Sequence, residues 1–282
     1  MLRRLLVTSR RPFSSASGAT EYLNGVKFLQ QKDDRAIKLA VAEWTSAAEK
    51  GHTKAQSALG HLYLTGHGVG QDLSLAARYL LEAAEGGHAN CRHQIGRMYL
   101  HGLHVEADPA AAFEWWSKAA EQDHMAAQFD LAYMYDHGVH VAQDTTKAFE
   151  LYRRASKQGM PEALRMVGKA HLAGRGTKTD AARAFKTFQK AADMGHALSQ
   201  FELGACYMLG RGTEANVARA ASCFFLAAEA DVPEAQLCMA QLYERGDGVE
   251  KDVAKAKEYY EMAAKHKLPE AEQKLAAWPY KR

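Results

Sequence analysis

The chain has 282 residues, of which 47% are hydrophobic and 24% charged, so its composition is that of a folded protein and excludes wholesale disorder. The net charge of +3 depends on four arginines within the first thirteen residues, and without them the rest of the chain is close to neutral. A near-neutral chain lacks the positive charge that would attract nucleic acid or an anionic membrane. No apolar run approaches the roughly 18 residues of a transmembrane helix.

The first residues have the composition of an import signal. Residues 1–20 contain no Asp or Glu and combine arginines with leucines and serines, as mitochondrial and plastid transit peptides do. The stretch from Arg11 to Ser15 resembles the processing sites of mitochondrial presequences, with cleavage near Phe13. We therefore predict a cleaved mitochondrial presequence over residues 1–13 and a location in the mitochondrial matrix. A flexible basic tail is the alternative interpretation.

Beyond this segment the sequence repeats itself every 36 residues. Alanine pairs recur at this interval without insertion: Ala47-Ala48, Ala83-Ala84, Ala119-Ala120, Ala191-Ala192, Ala227-Ala228 and Ala263-Ala264. A second phase of the same period carries glycines: Gly66, Gly102, Gly138, Gly174, Gly210 and Gly246. Self-similarity at a fixed period of this length is the signature of a repeat protein.

The pattern predicts two helices in each 36-residue unit. In the first unit Ala55, Leu59 and Leu62 form one stripe of a 3.6-residue period, and Gly66 ends the helix because glycine tolerates a left-handed backbone. Before each second helix stands a residue type that caps helix N-termini: Asp72, Asp108, Asp144, Asp180, Asn216 and Asp252. The junctions between units carry a glycine or an aspartate: Gly51, Gly87, Asp123, Gly159, Gly195 and Asp231.

The predicted fold is an all-α, right-handed α-α superhelix (solenoid) of about six to seven 36-residue helix-pair repeats. One helix pair cannot bury its own apolar face, so each pair is expected to stack on the next. Small alanines let neighbouring helices approach, and larger residues such as Tyr63 and Tyr99 fill the wider gaps. In chain order we predict the presequence, a linker or degenerate half repeat over 14–34, the repeat array over 35–278 and a tail over 279–282.

Residues 47–72 carry the pattern Ala-Ala-Glu-x-Gly-His-x-x-Ala-Gln-x-x-Leu-Gly-x-x-Tyr-x-x-Gly-x-Gly-Val-x-x-Asp. With this pattern the array over 35–278 resembles the Sel1-like repeats, which are relatives of the tetratricopeptide repeats. The resemblance implies a non-enzymatic adaptor or scaffold that binds a protein or peptide and has no cofactor. A cysteine-rich branch of the family is a poor match, because none of the four cysteines recurs at 36 residues.

The candidate binding surface consists of non-core positions on the first helices, which line the concave groove in tetratricopeptide-like solenoids. One set of equivalent positions holds His61, Arg97, Tyr133, Lys169, Ala205 and Gln241, and a second holds Gln94, Asp130, Met166 and Glu202. From these we predict seven partner-binding residues: His61, Arg97, Tyr133, Lys169, Gln94, Asp130 and Glu202. Arg97, Tyr133 and Lys169 are central, since Arg and Tyr are enriched at interaction hot spots. A solvated face without a partner would vary in the same way.

The thirteen histidines fall into two groups of interest. His52, His88, His124 and His196 are in phase at the helix junctions, where we expect hydrogen-bonded structural roles. The candidate metal ligands are two His-x-x-His pairs in the same loop of adjacent units: His101 with His104, and His137 with His140. We predict no metal there, because histidine is also one of the side chains that tolerate positive φ in a turn.

The sequence contains none of the common catalytic signatures, such as a Gly-x-Ser-x-Gly elbow or a His-Glu-x-x-His pair, so we do not predict an enzyme. Two alternatives remain open. One is a metal-dependent hydrolase or metal-binding protein at the histidine pairs, and the other is a structural subunit docked by its convex face near Arg78, Arg154 and Lys190. We expect a monomer or a subunit of a hetero-complex. The sequence leaves open whether three cysteines are thiols or form a disulfide: Cys206, Cys223 and Cys238. In the mitochondrial matrix we expect thiols.

Overall fold

The computed structural model describes residues 17–31, 33–103 and 105–278, and all regular secondary structure in these ranges is helical. The chain divides into two compact units, Met1–Gln143 and Asp144–Arg282. The first unit contains α1 (Ala19–Leu29), α2 (Asp34–Glu49), α3 (Thr53–Thr65), α4 (Leu73–Glu85), α5 (Ala89–His101), α6 (Pro109–Glu121) and α7 (Met125–His137). The second contains α8 (Thr145–Lys157), α9 (Pro161–Ala173), α10 (Ala181–Asp193), α11 (Ala197–Leu209), α12 (Val217–Glu229), α13 (Pro233–Arg245), α14 (Val253–Lys265) and α15 (Pro269–Ala276).

The predicted helix pairs are confirmed in both units. Within each unit every helix contacts the next one along the chain. The segment 14–34, predicted as a linker or degenerate half repeat, contains α1, which contacts α2. The predicted presequence over residues 1–13 and tail over 279–282 lie outside the described residues, and so does His104. Among the described helices, none is both long and apolar enough to cross a membrane.

The predicted N-caps hold the second helices in place. Asp72 accepts hydrogen bonds from the backbone N–H groups of Ser74 and Leu75 at 3.0 and 2.9 Å, and Asp108 accepts one from Ala111 at 3.0 Å. The other four caps make the equivalent bond three residues on: Asp144, Asp180, Asn216 and Asp252. Each cap satisfies a backbone donor that has no partner inside the helix, which fixes where the helix begins.

The predicted helix stops also have the geometry that their residue types imply. All six glycines that end the first helices have a left-handed backbone, with φ between 64° and 82°. At the junctions between repeats, Asp123 and Asp231 replace glycine and still adopt φ of 58° and 62°. Aspartate is among the residues that enter this region at modest cost, so the turn survives the substitution.

The core of each helix pair depends on a small residue of the first helix facing a large side chain of the second. A Cβ atom on Gly96 of α5 would lie 2.4 Å from the indole ring of Trp116 in α6. In the second unit a Cβ on Gly168 would lie 2.5 Å from the ring of Phe188, and Gly204 and Phe224 show the same relation. Alanines at the other contact positions, among them Ala83 and Ala119, are fully buried.

Buried glutamines link consecutive repeats. Gln128, near the start of α7, is fully buried and donates through its side-chain amide to the carbonyl of Ala120 at 3.4 Å and to Asp123 at 3.0 Å. In the second unit Gln236 makes the equivalent bond to Asp231 at 2.9 Å. The amide therefore joins the start of a first helix to the end of the preceding second helix, where backbone carbonyls lack helical partners.

We predict that Gly96→Ala lowers the free energy of unfolding by about 1–2 kcal/mol. Because the Cβ would lie only 2.4 Å from the indole, we expect a cost in the upper part of the usual overpacking range of about 1–3 kcal/mol, of which a gain of about 1 kcal/mol in helix propensity offsets a part. Trp116 is only 2% exposed, and its indole N–H donates to the carbonyl of His93 at 3.0 Å, which holds the ring in position. Urea denaturation followed by circular dichroism measures the change.

The matched control is Gly70→Ala, because a Cβ at Gly70 meets no atom within 4 Å. This variant is expected to stay within about 0.5 kcal/mol of the parent. A Gly96→Ala variant as stable as the Gly70→Ala variant would show that close helix approach does not limit the fold.

Candidate functional site: the first-helix face

The candidate site is the first-helix face, which we define by the non-core side chains of α3, α5 and α7 in the first unit and of α9, α11 and α13 in the second. Of the three residues predicted to be central, Arg97 and Tyr133 are exposed on α5 and α7, and Lys169 is exposed on α9. Their core-facing neighbours on the same helices are buried, as the 3.6-residue period requires. The phase of the repeat therefore predicted their exposure.

In the first unit, four polar residues of this face bridge adjacent repeats. The side-chain amide of Gln94 donates to Nε2 of His61 at 3.0 Å, and Nδ1 of His61 donates to the carbonyl of Ser57 at 2.7 Å. One repeat further on, Nε2 of His93 donates to the carboxylate of Asp130 at 2.7 Å. His61, Gln94 and Asp130, predicted as partner-binding residues, thus already have partners within the chain.

Tyr133 is the large exposed aromatic residue of the first unit. Its ring is 48% exposed and stacks on the imidazole of His137 one turn later, with the ring centroids 4.0 Å apart. Nδ1 of His137 also lies 3.1 Å from the carbonyl of Tyr133. An aromatic ring fixed in this way offers a flat apolar surface whose conformational freedom is already reduced before any partner binds.

In the second unit the predicted residues have different environments. Glu202 on α11 pairs with Arg165 on α9 at 3.6 Å, and both side chains are about one-fifth exposed. Lys169, one turn beyond Arg165, is exposed. Glu202 therefore links two adjacent first helices, whereas Lys169 projects into solvent.

The second unit also contains an open cleft of about 320 Å³ between α11 and α13 that was not predicted as a site. Its lining is mainly apolar: Phe201, Ala205, Met208, Leu209, Phe224, Cys238 and Leu242, with Gln241, Arg245 and Asp247. The cleft exists because Ala205 stands where other repeats carry Arg97, Tyr133 or Lys169. Cys238 likewise stands where another repeat carries Glu202. Small residues at these two positions leave the floor uncovered.

Sequence reasoning placed Ala205 and Gln241 on this face but did not identify the cleft. The available signal was the short side chain at Ala205 within a set of long ones. Leu209, which is 57% exposed at the end of α11, was a second signal, because it stands where equivalent positions carry His101 or His137. Both signals depend on comparing repeats with each other instead of reading one repeat.

Three of the four in-phase histidines have the expected hydrogen-bonded roles at the helix junctions, whereas Nδ1 of His88 is buried and has no hydrogen-bond partner among the described residues. Nδ1 of His52 and of His124 accepts the N-cap hydrogen bond from Ala55 and Ala127, at 3.2 and 3.1 Å. Nδ1 of His196 lies 2.8 Å from the hydroxyl of Ser199. Burial lowers the pKa of all the in-phase histidines: His52, His88, His124 and His196. The neutral imidazole is the form that can accept a hydrogen bond at Nδ1, so the caps require it.

The candidate metal ligands do not converge within the described residues. His101 and His137 are exposed at the ends of α5 and α7. His140 has a left-handed backbone with φ of 65°, as the turn interpretation predicts, and its ring contacts Phe113 at 6.2 Å between centroids. In the described part of the chain no three His, Cys, Asp or Glu residues form a group that could hold a metal ion.

All four cysteines are free thiols. Burial raises the pKa of the thiols of Cys91, Cys206 and Cys238 to about 11, and in Cys206 and Cys238 nearby glutamates raise it further. A thiol is nucleophilic only as thiolate, so these residues are structural at neutral pH.

The repeat geometry agrees with a known family. The Sel1 repeat model matches residues 53–88, 89–124, 126–160, 161–196, 197–232 and 233–268. The chain is a Sel1 repeat protein. These six repeats and the helix pairs confirm the predicted all-α fold of stacked Sel1-like repeats. Sel1 repeat proteins are generally protein-interaction scaffolds.

Solved structures of similar Sel1 repeat proteins extend the comparison. The chain is 28% identical to c5321, a protective antigen of uropathogenic Escherichia coli with an SLR fold, with a TM-score of 0.82 over 93% of this chain. It spans only 56% of the length of c5321. A Sel1 repeat protein from Oxalobacter formigenes is 27% identical, with a TM-score of 0.76 over 86% of this chain and 96% of its own. A search of curated protein sequences gives no match.

We predict that this Sel1 repeat protein loses stability as the pH falls below about 6.5, the ordinary pKa of histidine. Because burial lowers the pKa of His124 in the folded state, the unfolded state binds more protons below that pH, and protonation favours unfolding. His124→Asn, which keeps an N-cap acceptor but cannot titrate, should show a smaller fall in Tm between pH 7.5 and 5.5.

The control for this experiment is His67→Asn, since His67 is exposed in the loop after α3 and caps no helix. It should retain the pH dependence of the parent. The explanation would be wrong if His124→Asn and the parent lost the same number of degrees over this range.

Proposed function

We propose that this protein is a non-enzymatic mitochondrial scaffold that binds a protein or peptide partner on its first-helix face, as an assembly factor or a subunit of a complex. The observation that carries the proposal is the exposure of Arg97, Tyr133 and Lys169 at one repeat position whose chemistry changes from repeat to repeat. Caps, stops and core residues recur every 36 residues, so the fold does not require this variation.

The exposed side chains have the chemistry of an interaction surface. Arg and Tyr combine a large contact area with hydrogen-bonding groups, and they are enriched among residues that dominate binding energy. Tyr133 is already stacked on His137, so less conformational entropy is lost when a partner covers it. In the first unit, four bridging residues fix the spacing of α3, α5 and α7, of which α5 and α7 present Arg97 and Tyr133: His61, Gln94, His93 and Asp130.

A second candidate function is docking through the second helices, and one feature of the second unit favours it. Phe225 and Leu226 on α12 are 42% and 52% exposed. The equivalent positions are polar in the two preceding second helices, with Arg153 and Arg154 in α8, and Gln189 and Lys190 in α10. An adjacent apolar pair on an otherwise polar helix face is a surface that a partner subunit could cover.

We predict that replacing Arg97, Tyr133 and Lys169 together by alanine reduces recovery of co-purifying partners at least tenfold without changing the helix content. The measurement is affinity purification of the tagged full chain from isolated mitochondria, followed by quantitative mass spectrometry. All three side chains are exposed, so the fold is expected to survive.

A double variant, Phe225→Ser with Leu226→Ser, serves as the matched control on the second-helix face. It should keep the partners if the first-helix face binds them. If the double variant loses the partners and the triple variant keeps them, the second-helix docking function is correct and the first-helix proposal is wrong.

The mitochondrial location is part of the proposal and rests on the composition of residues 1–20. We predict that residues 1–30 fused to a fluorescent protein direct it to mitochondria, and that the mature chain begins near Phe13. Replacing Arg3, Arg4, Arg10 and Arg11 by glutamine should leave the fusion in the cytosol. A cytosolic parent fusion, or a native protein that begins at Met1, would contradict the assignment.

A further inference from the structure

We infer that the cleft between α11 and α13 binds a peptide segment of a partner in which one bulky apolar residue separates a basic residue from an acidic one. This inference rests on the proposed scaffold function and specifies the chemistry of one of its binding sites. Three features of the second unit support it: the apolar floor, the charges at the two ends of the cleft, and the distance between those ends.

The floor of the cleft favours a bulky apolar side chain. Phe201 and Phe224 lie against each other with ring centroids 5.6 Å apart, and Met208 and Leu209 continue the apolar surface towards the end of α11. The volume of about 320 Å³ admits a leucine, methionine or phenylalanine side chain together with a stretch of main chain. Burial of such a side chain removes apolar surface of both partners from water, which is the main source of binding energy here.

The two ends of the cleft carry opposite charge. At one end, Glu234 is exposed in the first turn of α13, one turn before Cys238, which lines the cleft and on whose thiol Glu234 acts electrostatically. At the opposite end, Arg245 lines the cleft in the last turn of α13, with Asp247 beside it. Arg211 occupies the same loop position as Asp247, one repeat earlier in the chain. With Arg245 and Arg211 against Asp247, this end is net basic.

The polar groups differ in whether they are available to a ligand. Glu270, exposed in the first turn of α15, accepts a hydrogen bond from Gln241 at 2.7 Å. Within the described residues Arg245 makes no hydrogen bond or ion pair through its guanidinium group, so its donors are available to a carboxylate. A guanidinium pairs with a carboxylate through two parallel hydrogen bonds, which gives this end of the cleft a geometric preference as well as a charge preference.

The spacing between the charged ends sets the length of the segment. Glu234 and Arg245 are eleven residues apart on one helix, about 16 Å at 1.5 Å per residue. An extended chain covers this distance in about five residues at 3.3 Å each. The segment therefore places a basic residue near Glu234, its apolar side chain over Phe201 and Ala205, and an acidic residue at Arg245.

The test uses a phage-displayed library of random seven-residue peptides, selected on the intact full-length protein. The expected consensus has a Leu, Met or Phe with Lys or Arg two or three positions to one side and Asp or Glu two or three positions to the other. The best synthetic peptide should bind at least tenfold more weakly after its apolar residue is changed to serine. Failure to enrich any peptide, or enrichment of peptides without this pattern, would overturn the inference.

Two protein variants locate the peptide in the cleft. Ala205→Phe fills the cleft and should weaken binding at least tenfold, whereas Ala182→Phe, at an exposed position of α10, should leave it unchanged. Arg245→Glu keeps the fold, since the side chain is exposed, and should reverse the preference from acidic to basic residues at that end of the peptide. Lys186→Glu, also exposed on α10, is the matched charge control. Equal binding by Ala205→Phe and Ala182→Phe, or an unchanged preference in Arg245→Glu, would rule the cleft out.

A negative result for the cleft can be distinguished from a negative result for the scaffold function. If Ala205→Phe and Arg245→Glu keep every mitochondrial partner while the Arg97, Tyr133 and Lys169 triple variant loses them, the scaffold function stands and the cleft inference is wrong. If the selected peptide binds the cleft but the triple variant keeps every partner, the cleft inference stands and the assignment of the central residues is wrong.

Discussion

The fold depends on the close approach of two helices within each repeat. A glycine of the first helix leaves room for a ring of the second, as Gly96 does for Trp116 and Gly204 does for Phe224. Because the packed interior has no spare volume, this contact determines how far apart the two helices lie and which side of each helix is available to its neighbours. Phe224 connects this constraint to function, since the ring that packs on Gly204 also forms part of the floor of the cleft.

The same constraint explains why the first-helix face is free to vary. Caps such as Asp108, left-handed stops such as Gly102 and bridging amides such as Gln128 satisfy the backbone groups at the helix ends. Once these requirements are met at the junctions and in the core, positions such as Arg97 and Ala205 contribute little to folding. A change at such a position alters the surface without moving the helices, which is how a repeat protein acquires a binding site.

The sequence predicted the features that arise within one repeat. Asp72 and the other caps were predictable because a cap bonds to a residue only three positions away. Gly66 was predictable because few residue types other than glycine tolerate the left-handed backbone at the end of a helix. The bonds between repeats, such as those of His93 with Asp130 and of Arg165 with Glu202, were not predicted. They join residues 37 positions apart, and whether such side chains meet depends on the stacking of repeats, which periodicity alone does not specify. The cleft was missed for the same reason, since it is formed by two helices and a ring from a third.

The two units present different chemistry on the same scaffold. In the first unit the face is polar, with histidine and carboxylate bridges around the exposed Arg97 and Tyr133. In the second unit it combines the apolar cleft around Ala205 with the Arg165–Glu202 ion pair and the exposed Lys169. A polar surface of this kind gives specificity through hydrogen bonds, whereas an apolar cleft gives affinity through burial, and the 36-residue repeat allows each to change without the other. The recognition that we propose is therefore determined by the non-repeating residues of each unit, and the repeating residues determine only where those residues stand.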